Sequence, residues 1–223
     1  MSVNAGLKKW GNDAKTALSD ELKLFIKEEV FVGVKNPTEA QKNSALRMHC
    51  FIVQKRDGRI KARAVEDGRL QERYMEEETY SPTVQLESIM LSSLVYAYER
   101  RHIRTIDIKG AFLKANVPED LKLIVKMDRQ LAEPMNELRP DFKIDEEGVM
   151  YLRCLKALNG HIEAARLFYI DLNQTLTEKM NSARNRYDPC VYNKRMDSGI
   201  VTARTHVDDI KISVVSEDEL TKV

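Results

Sequence analysis

Residues 200–215 read IVTARTHVDDIKISVV. Two β-branched runs flank the pair Asp208-Asp209, which predicts two strands joined at an acidic hairpin tip. Just upstream, CVYNKR (190–195) reads as a further strand. Acidic residues at such strand ends are unfavourable in isolation, so their placement asks for a partner. IRTIDI (103–108), a short β-branched strand ending near Asp107, supplies one. Neighbouring strands lie about 4.8 Å apart, so Asp107 and Asp208 can converge on one sheet face. Converging carboxylates repel as anions but suit Mg2+, a hard cation that takes oxygen ligands and keeps waters and substrate phosphates. Two such ions roughly 3.5–4 Å apart would serve in-line phosphoryl transfer. Taken alone, Asp-Asp at a turn is weak evidence and reads more readily as a solvated loop, because Asp is a common turn former.

Other elements emerge further out along the chain. Residues 10–30 carry Leu18, Leu22, Phe25 and Ile26 on one face of an amphipathic helix, and VGVKNPTEAQKNS (32–44) reads as a connection. MHCFIVQKR and RIKARAV flank Asp57-Gly58, a pair suited to the positive φ of a tight hairpin. Alternation there puts Arg59, Lys61 and Arg63 on one face, with Ile60, Ala62 and Ala64 on the other. LESIMLSSLVYAYER (86–100) has apolar residues at 86, 89, 90, 94 and 97, the period of a core-facing helix. LKLIVKM (121–127) and VMYLRCL (149–155) read as strands, and the polar stretch 128–148 has Pro134 and Pro140 to limit any helix. From Gly160 onward, Ile162, Ala165, Tyr169, Leu172 and Leu176 line a helix of about twenty residues. Strands interleave with helices without a regular βαβ repeat, so the fold class is α+β with a largely antiparallel sheet.

Composition sets bounds on function. The 223 residues include 36 Lys+Arg and 35 Asp+Glu, a formal net charge of +1 that excludes a uniformly basic coat. A basic patch exists locally: residues 47–73 hold eight Lys/Arg against four Asp/Glu. Charged residues at 32% with a mean hydropathy of −0.45 fit a soluble chain, and no apolar run approaches the roughly 20 residues that span a bilayer. The N-terminus lacks the apolar core of a signal peptide, which points to an intracellular location without a membrane partner. Cys50, Cys154 and Cys190 are far apart and odd in number, and they read as small buried side chains. The four histidines, His49, His102, His161 and His206, are equally scattered, so a zinc site is not expected.

An ordered series of segments carries a more specific reading. KARAVEDGRLQ (61–71), EETYSPTVQLESIML (77–91), TIDIKGAFLKANVPEDL (105–121), YLRCLKALNGHIEAARLFY (151–169), DPCVYNK (188–194) and HVDDIKIS (206–213) follow one another in this order. Together they resemble the reverse transcriptase domain of copia-type LTR retrotransposons over about residues 48–215. The resemblance implies the fingers and palm of a right-hand polymerase over 48–215, a helical lead-in over 1–47, and a short end over 216–223 with the thumb missing. It implies an RNA-directed DNA polymerase using two Mg2+ ions, with Mn2+ as a substitute, on dNTPs and an RNA or DNA template with its primer. Its usual setting is a cytoplasmic pol polyprotein carrying integrase and RNase H. Asp107, Asp208 and Asp209 match the catalytic metal-binding aspartates, with Ile108 lending a backbone carbonyl.

Further positions match by the same resemblance. Phe112 falls at the aromatic gate beneath the incoming sugar, where a flat ring clashes with a 2′-hydroxyl; read from the residues alone, it fits a core Phe as well. Arg63, with Lys61 on the same face, matches the fingers position that grips the triphosphate, although both also fit solvated charges on an edge hairpin. Asn159-Gly160 matches the loop under the template base and nucleotide, where Gly permits close backbone approach. His206 stands where the family has Tyr, and Asn159 where it usually has Tyr before the glycine. Glu163-Ala164-Ala165 replaces the usual Pro, Arg204 and Thr205 bring polarity into a strand that is usually apolar, and Glu66-Asp67 sets two acids beside the basic hairpin. Two functions follow: the polymerase domain itself, or a truncated, catalytically inactive remnant with at most weak nucleic-acid binding.

Overall fold

The structure, a computed structural model, describes residues 1–71 and 79–221. Glu72 and Arg73 of the basic count, residues 77 and 78 of the second matching segment, and residues 222 and 223 lie outside these. The chain divides into two units, Met1–Glu78 with Phe112–Leu167, and Thr79–Ala111 with Phe168–Val223.

In the first unit, α1 (Val3–Lys27) begins earlier than its apolar spacing predicts, starting after Ser2 and bending at Gly11. Leu18, Leu22 and Phe25 are buried as expected, while Ile26 is half-buried. The stretch read as a connection contains β1 (Phe31–Gly33) and α2 (Glu39–Ser44). Thr38 and Gln41 close a capping box on α2, a local signal that composition alone hid. β2 (Leu46–Gln54) and β3 (Ile60–Glu66) form the expected hairpin, with Ala62 and Ala64 buried and Lys61 and Arg63 exposed. Its turn is wider than expected: the Lys55 N–H bonds to the Arg59 carbonyl, and only Gly58 (φ 86) takes the positive dihedral. Arg59 therefore precedes the strand and pairs with Asp57. α1 packs against both strands, and a Cβ on Gly6 would come within 2.8 Å of Ile52, so only glycine allows this approach.

The unit continues after the second unit's first segment. With β5 at Ile124–Met127 and β6 at Met150–Cys154, the sheet of the first unit runs β1-β6-β5-β2-β3, all antiparallel except for the short parallel β2–β5 pairing.

The second unit opens with α3 (Leu86–Tyr98), whose first N–H groups include Gln85, bonded to the Asp188 carboxylate at 2.9 Å. β4 (His102–Asp107) follows and ends at Asp107 as expected. In the first unit come β5 (Ile124–Met127), α4 (Arg129–Leu138) and β6 (Met150–Cys154). α4 ends just before Pro140, as expected, but corrects the expectation for Pro134. The helix persists through Pro134 because Leu131, Ala132 and Met135 all bury on one side, and core burial offsets the lost backbone bond. α5 (Ala164–Gln174), shorter than the predicted helix, is extended by one wider turn over Thr175–Lys179. Within it Leu172 is buried and Ala165 half-buried. β7 (Ala183–Arg184), β8 (Val191–Met196), β9 (Gly199–His206) and β10 (Asp209–Val214) complete the strands among the described residues, and the second sheet runs β4-β10-β9-β8-β7, antiparallel throughout.

The orientation of α3 overturns a second expectation. Leu86, Met90 and Leu94, predicted to face the core, are 66%, 65% and 68% exposed. The side turned inward carries Ser88, Ser92 and Tyr96. The reason is Arg204 of β9, which is buried and needs acceptors. Its guanidinium donates to the Ile89 carbonyl at 2.8 Å and to the Ser92 hydroxyl, and it lies 5.1 Å from the Tyr96 ring centroid. A buried guanidinium left without such partners would cost several kcal/mol, roughly, so the polar face of the helix wins the contact. All three cysteines are buried and unpaired with one another.

Candidate active site

The acidic hairpin tip is a two-residue turn. β9 ends at His206, Val207 and Asp208 turn, and β10 starts at Asp209. Val207 takes φ 56, a dihedral that a β-branched residue adopts only under strain. The register puts Asp209 opposite His206 on one side and opposite Asp107 on the other. His206, Asp209 and Asp107 therefore form one row across three strands, on one face, and all are exposed. The Ile108 N–H donates to the Asp208 carbonyl at 3.0 Å. That bond makes Asp107 and Asp209 a non-hydrogen-bonded pair, the kind with Cα atoms about 4.5 Å apart and close side chains.

Sequence spacing named Asp107 and Asp208 as the convergent pair. Across the strands the residue aligned with Asp107 is Asp209, and Asp208 occupies the turn. A one-residue difference exchanges sheet faces, and strand spacing alone leaves that register open. Behind the acidic row, Thr105, Lys211 and Arg204 align in the next row on the same face. Lys211 was passed over in the sequence, although the alternation D-I-K places it two residues along from Asp209 on the same side.

Two cross-strand carboxylates suit a hard divalent cation, which binds through one or two carboxylates together with waters and phosphates. Among the described residues no group of three or more His, Cys, Asp and Glu side chains is placed to hold a metal ion by itself. The donor set thus fits a cation shared with a phosphate-bearing ligand, not a closed protein cage.

The first unit contains the remaining sequence-predicted positions. Lys61 and Arg63 lie exposed on β3, opposite Val53 and Phe51, and the Phe51 ring stacks at 6.4 Å on His49. Basic and aromatic side chains thus share one hairpin face. Phe112 is half-buried in the short turn Ala111–Lys114. Asn159 and Gly160 lie against the end of β3: the Glu66 N–H donates to the Asn159 carbonyl at 2.8 Å, and Gly160 takes φ 97.

Beside that loop is a buried polar group whose two acids the sequence marks only as departures from the family pattern. Glu66, His161 and Glu163 are all buried, and His161 Nε2 is 3.2 Å from Glu163 Oε2. Burial, with the Glu163 charge added, pushes the Glu66 carboxyl up to about 8. Burial alone brings the His161 imidazole down to about 4, so its contact with Glu163 is that of a neutral ring at pH 7. Asp67, by contrast, is paired with Arg69 at 2.6 Å and held well below the usual carboxylate range by that guanidinium. Alternation along β3 puts Glu66 in phase with Ala62 and Ala64 on the buried face, whereas no such period marks Glu163.

Among the described residues no helix is long and apolar enough to cross a membrane. Residues 28–223 match the family model described as reverse transcriptase (RNA-dependent DNA polymerase). The chain is also 24% identical over 208 residues to the "Retrovirus-related Pol polyprotein from transposon TNT 1-94" of Nicotiana tabacum. That alignment covers 90% of this chain and 14% of the length of the relative.

Proposed function

Since the chain belongs to the reverse transcriptase (RNA-dependent DNA polymerase) family, we propose that it is the polymerase domain of a copia-type retrotransposon, adding dNTPs to a primer 3′-hydroxyl. The observation that carries this reading is the direct opposition of Asp107 and Asp209 beside the Asp208 turn. In this reading Asp107, Asp208 and Asp209 hold Mg2+, or Mn2+ in its place, and the Ile108 carbonyl adds a ligand. When bound, a pair of such ions would lower the pKa of the attacking hydroxyl and stabilise the departing pyrophosphate.

The protein's own residues orient and select. The basic face of β3 supplies phosphate contacts: Arg63 offers a planar fork of donors to the triphosphate, and Lys61 adds a point charge. Phe112 presents a flat ring beneath the sugar, against which a 2′-hydroxyl would clash. The Asn159-Gly160 backbone lies under the template base and incoming nucleotide. His206, in the acidic row, packs against the primer end. In right-hand terms the first unit corresponds to fingers and the second to palm, within residues 48–215, with 1–47 as a helical lead-in. The template is RNA or DNA; a polyprotein setting is suggested by the Nicotiana tabacum relative's name, and integrase and RNase H come from the resemblance to copia-type elements.

The test is extension of a DNA primer on an RNA template by the purified chain, in Mg2+ or Mn2+, with Asp208→Asn as control. Extension that disappears in Asp208→Asn supports the assignment. Extension that survives it overturns the metal role of the hairpin. The second reading, a catalytically inactive remnant, is favoured by one observation: among the described residues no group of three or more His, Cys, Asp and Glu side chains is placed to hold a metal ion. It predicts retained primer–template binding with no extension in either metal.

A further inference from the structure

The Asn159-Gly160 loop is fixed to the end of β3 by contacts that leave no room for adjustment. A Cβ on Gly160 would lie 2.0 Å from the Glu66 carbonyl oxygen, and one on Gly68 would lie 2.2 Å from the Gly160 carbonyl oxygen. Two glycines are thus interlocked, backbone on backbone, with the Glu66 N–H bonded to Asn159. Such close approach is available only to residues without a side chain. Interlocked backbones supply shape but little restoring force, so the loop needs a second anchor to stay seated.

Gln71 supplies one. Its Oε1 accepts the Ile162 N–H at 3.0 Å, and its Nε2 donates to Glu163 Oε2 at 2.6 Å. One amide side chain therefore satisfies both the backbone donor and the carboxylate that immediately follow the Asn159-Gly160-His161 turn. Glu163 is fully buried, and a bond to a buried carboxylate is among the stronger neutral-donor hydrogen bonds. Gln71 stands on the connection leaving β3, three residues after Gly68, so the anchor and the interlock belong to the same strand end.

We propose that Gln71 is a positioning residue: by bridging the Ile162 N–H and the Glu163 carboxylate, it holds the Asn159-Gly160 backbone seated on β3. Its bearing on nucleotide binding rests on the reading of that loop as a nucleotide contact, while the seating itself does not. Asn159 and Gly160 sit one turn upstream of the two groups it grips. Loss of the bridge frees the loop to move away from β3 without disturbing the core strands.

The test exchanges the two partners. In Gln71→Glu, two carboxylates face each other and the bridge is broken. In the double variant Gln71→Glu/Glu163→Gln, the amide and carboxylate trade places, leaving the net charge and both hydrogen bonds available. Repulsion from the Glu163 carboxylate should swing the new carboxylate away from the Ile162 N–H, so hydrogen exchange read by NMR at that amide should speed up roughly tenfold in Gln71→Glu, as for the loss of one such bond. It should return to within about threefold of the parent in the double variant, the partial recovery expected of a coupled pair. Unchanged exchange in Gln71→Glu, or no recovery in a double variant that melts at the parent temperature, overturns the proposal. Gln71→Leu provides a check that introduces no charge and should match the single variant. In primer extension the single variants should raise KM for dNTP severalfold with kcat nearly unchanged, and the exchanged pair should restore KM. Altered exchange with unaltered KM keeps the anchoring role and removes the loop from the nucleotide site.

Discussion

Asp107 and Asp209 stand directly opposite each other on β4 and β10, as a non-hydrogen-bonded cross-strand pair on one exposed face. Like charges placed this way destabilise a sheet by roughly 0.2–1 kcal/mol. The arrangement is unfavourable by itself and becomes favourable when a cation sits between the partners.

The first prediction follows from that sign. Without divalent metal, Asp107→Asn and Asp209→Asn should each melt slightly higher than the parent. Mg2+ at about ten times its dissociation constant should stabilise the parent by about 1.4 kcal/mol, and the two variants by much less. Scanning calorimetry with and without Mg2+ reads both effects. Equal stabilisation of parent and variants would place the cation elsewhere.

Strain at the neighbouring turn gives the second. Val207 holds φ 56 between two strands of fixed register. For a β-branched residue that dihedral costs on the order of 1–2 kcal/mol. Val207→Gly removes the strain and adds back some chain entropy on unfolding, so denaturant titration should show a net gain of about 0.5–1 kcal/mol. A loss of similar size would mean that the Val207 side chain contributes packing that outweighs its dihedral.

Much of this arrangement was legible in the sequence, and the parts that were not have a common cause. Alternation identified β3, with Ala62 and Ala64 inward and Lys61 and Arg63 outward, because burial on one face imposes period two. Runs of β-branched residues marked β9, β10 and the end of β4 at Asp107. Register escaped it: nothing in the spacing of 103–108 and 200–215 distinguishes Asp208 from Asp209 as the partner of Asp107. The face of α3 escaped it too, since the apolar stripe at 86, 90 and 94 is overruled by the needs of a single buried guanidinium 110 or more residues away. The same holds for Glu163, whose buried carboxylate is met by the Gln71 amide from a separate stretch of chain. Local pattern specifies elements well, and it is long-range polar pairing that decides how they face.

Gly160 carries the third prediction, and it separates a structural role from a binding one. Any side chain there meets the Glu66 carbonyl at 2.0 Å and also a φ of 97. Gly160→Ala should therefore destabilise the protein by more than about 2 kcal/mol, the range for an incompatible backbone site. Chemical denaturation measures this directly. A variant with parent stability and impaired nucleotide binding would show that the loop has room, contrary to the interlock with Gly68.

The final prediction concerns pH, where two buried groups act with opposite sign. The Glu66 carboxyl is raised to about 8 by burial and by Glu163, against 4.5 for an exposed one. Between those values the unfolded chain has released this proton and the folded chain keeps it, so stability falls as pH rises, at up to about 1.4 kcal/mol per pH unit. His161 is lowered to about 4 by burial, against 6.5 when exposed. Between those values the unfolded chain holds the extra proton, so stability rises with pH. The two slopes oppose each other from pH 4.5 to 6.5, and from 6.5 to 8 the Glu66 slope stands alone. Denaturation profiles should thus be nearly flat in the lower window and fall through the upper one as far as these two groups govern them. Glu66→Gln, which cannot ionise, should abolish the fall above pH 6.5 and uncover a rise with pH below it. Parent and variant profiles of equal slope between pH 6.5 and 8 would show that Glu66 is already ionised in the fold, solvated by water that reaches the Glu163 pocket.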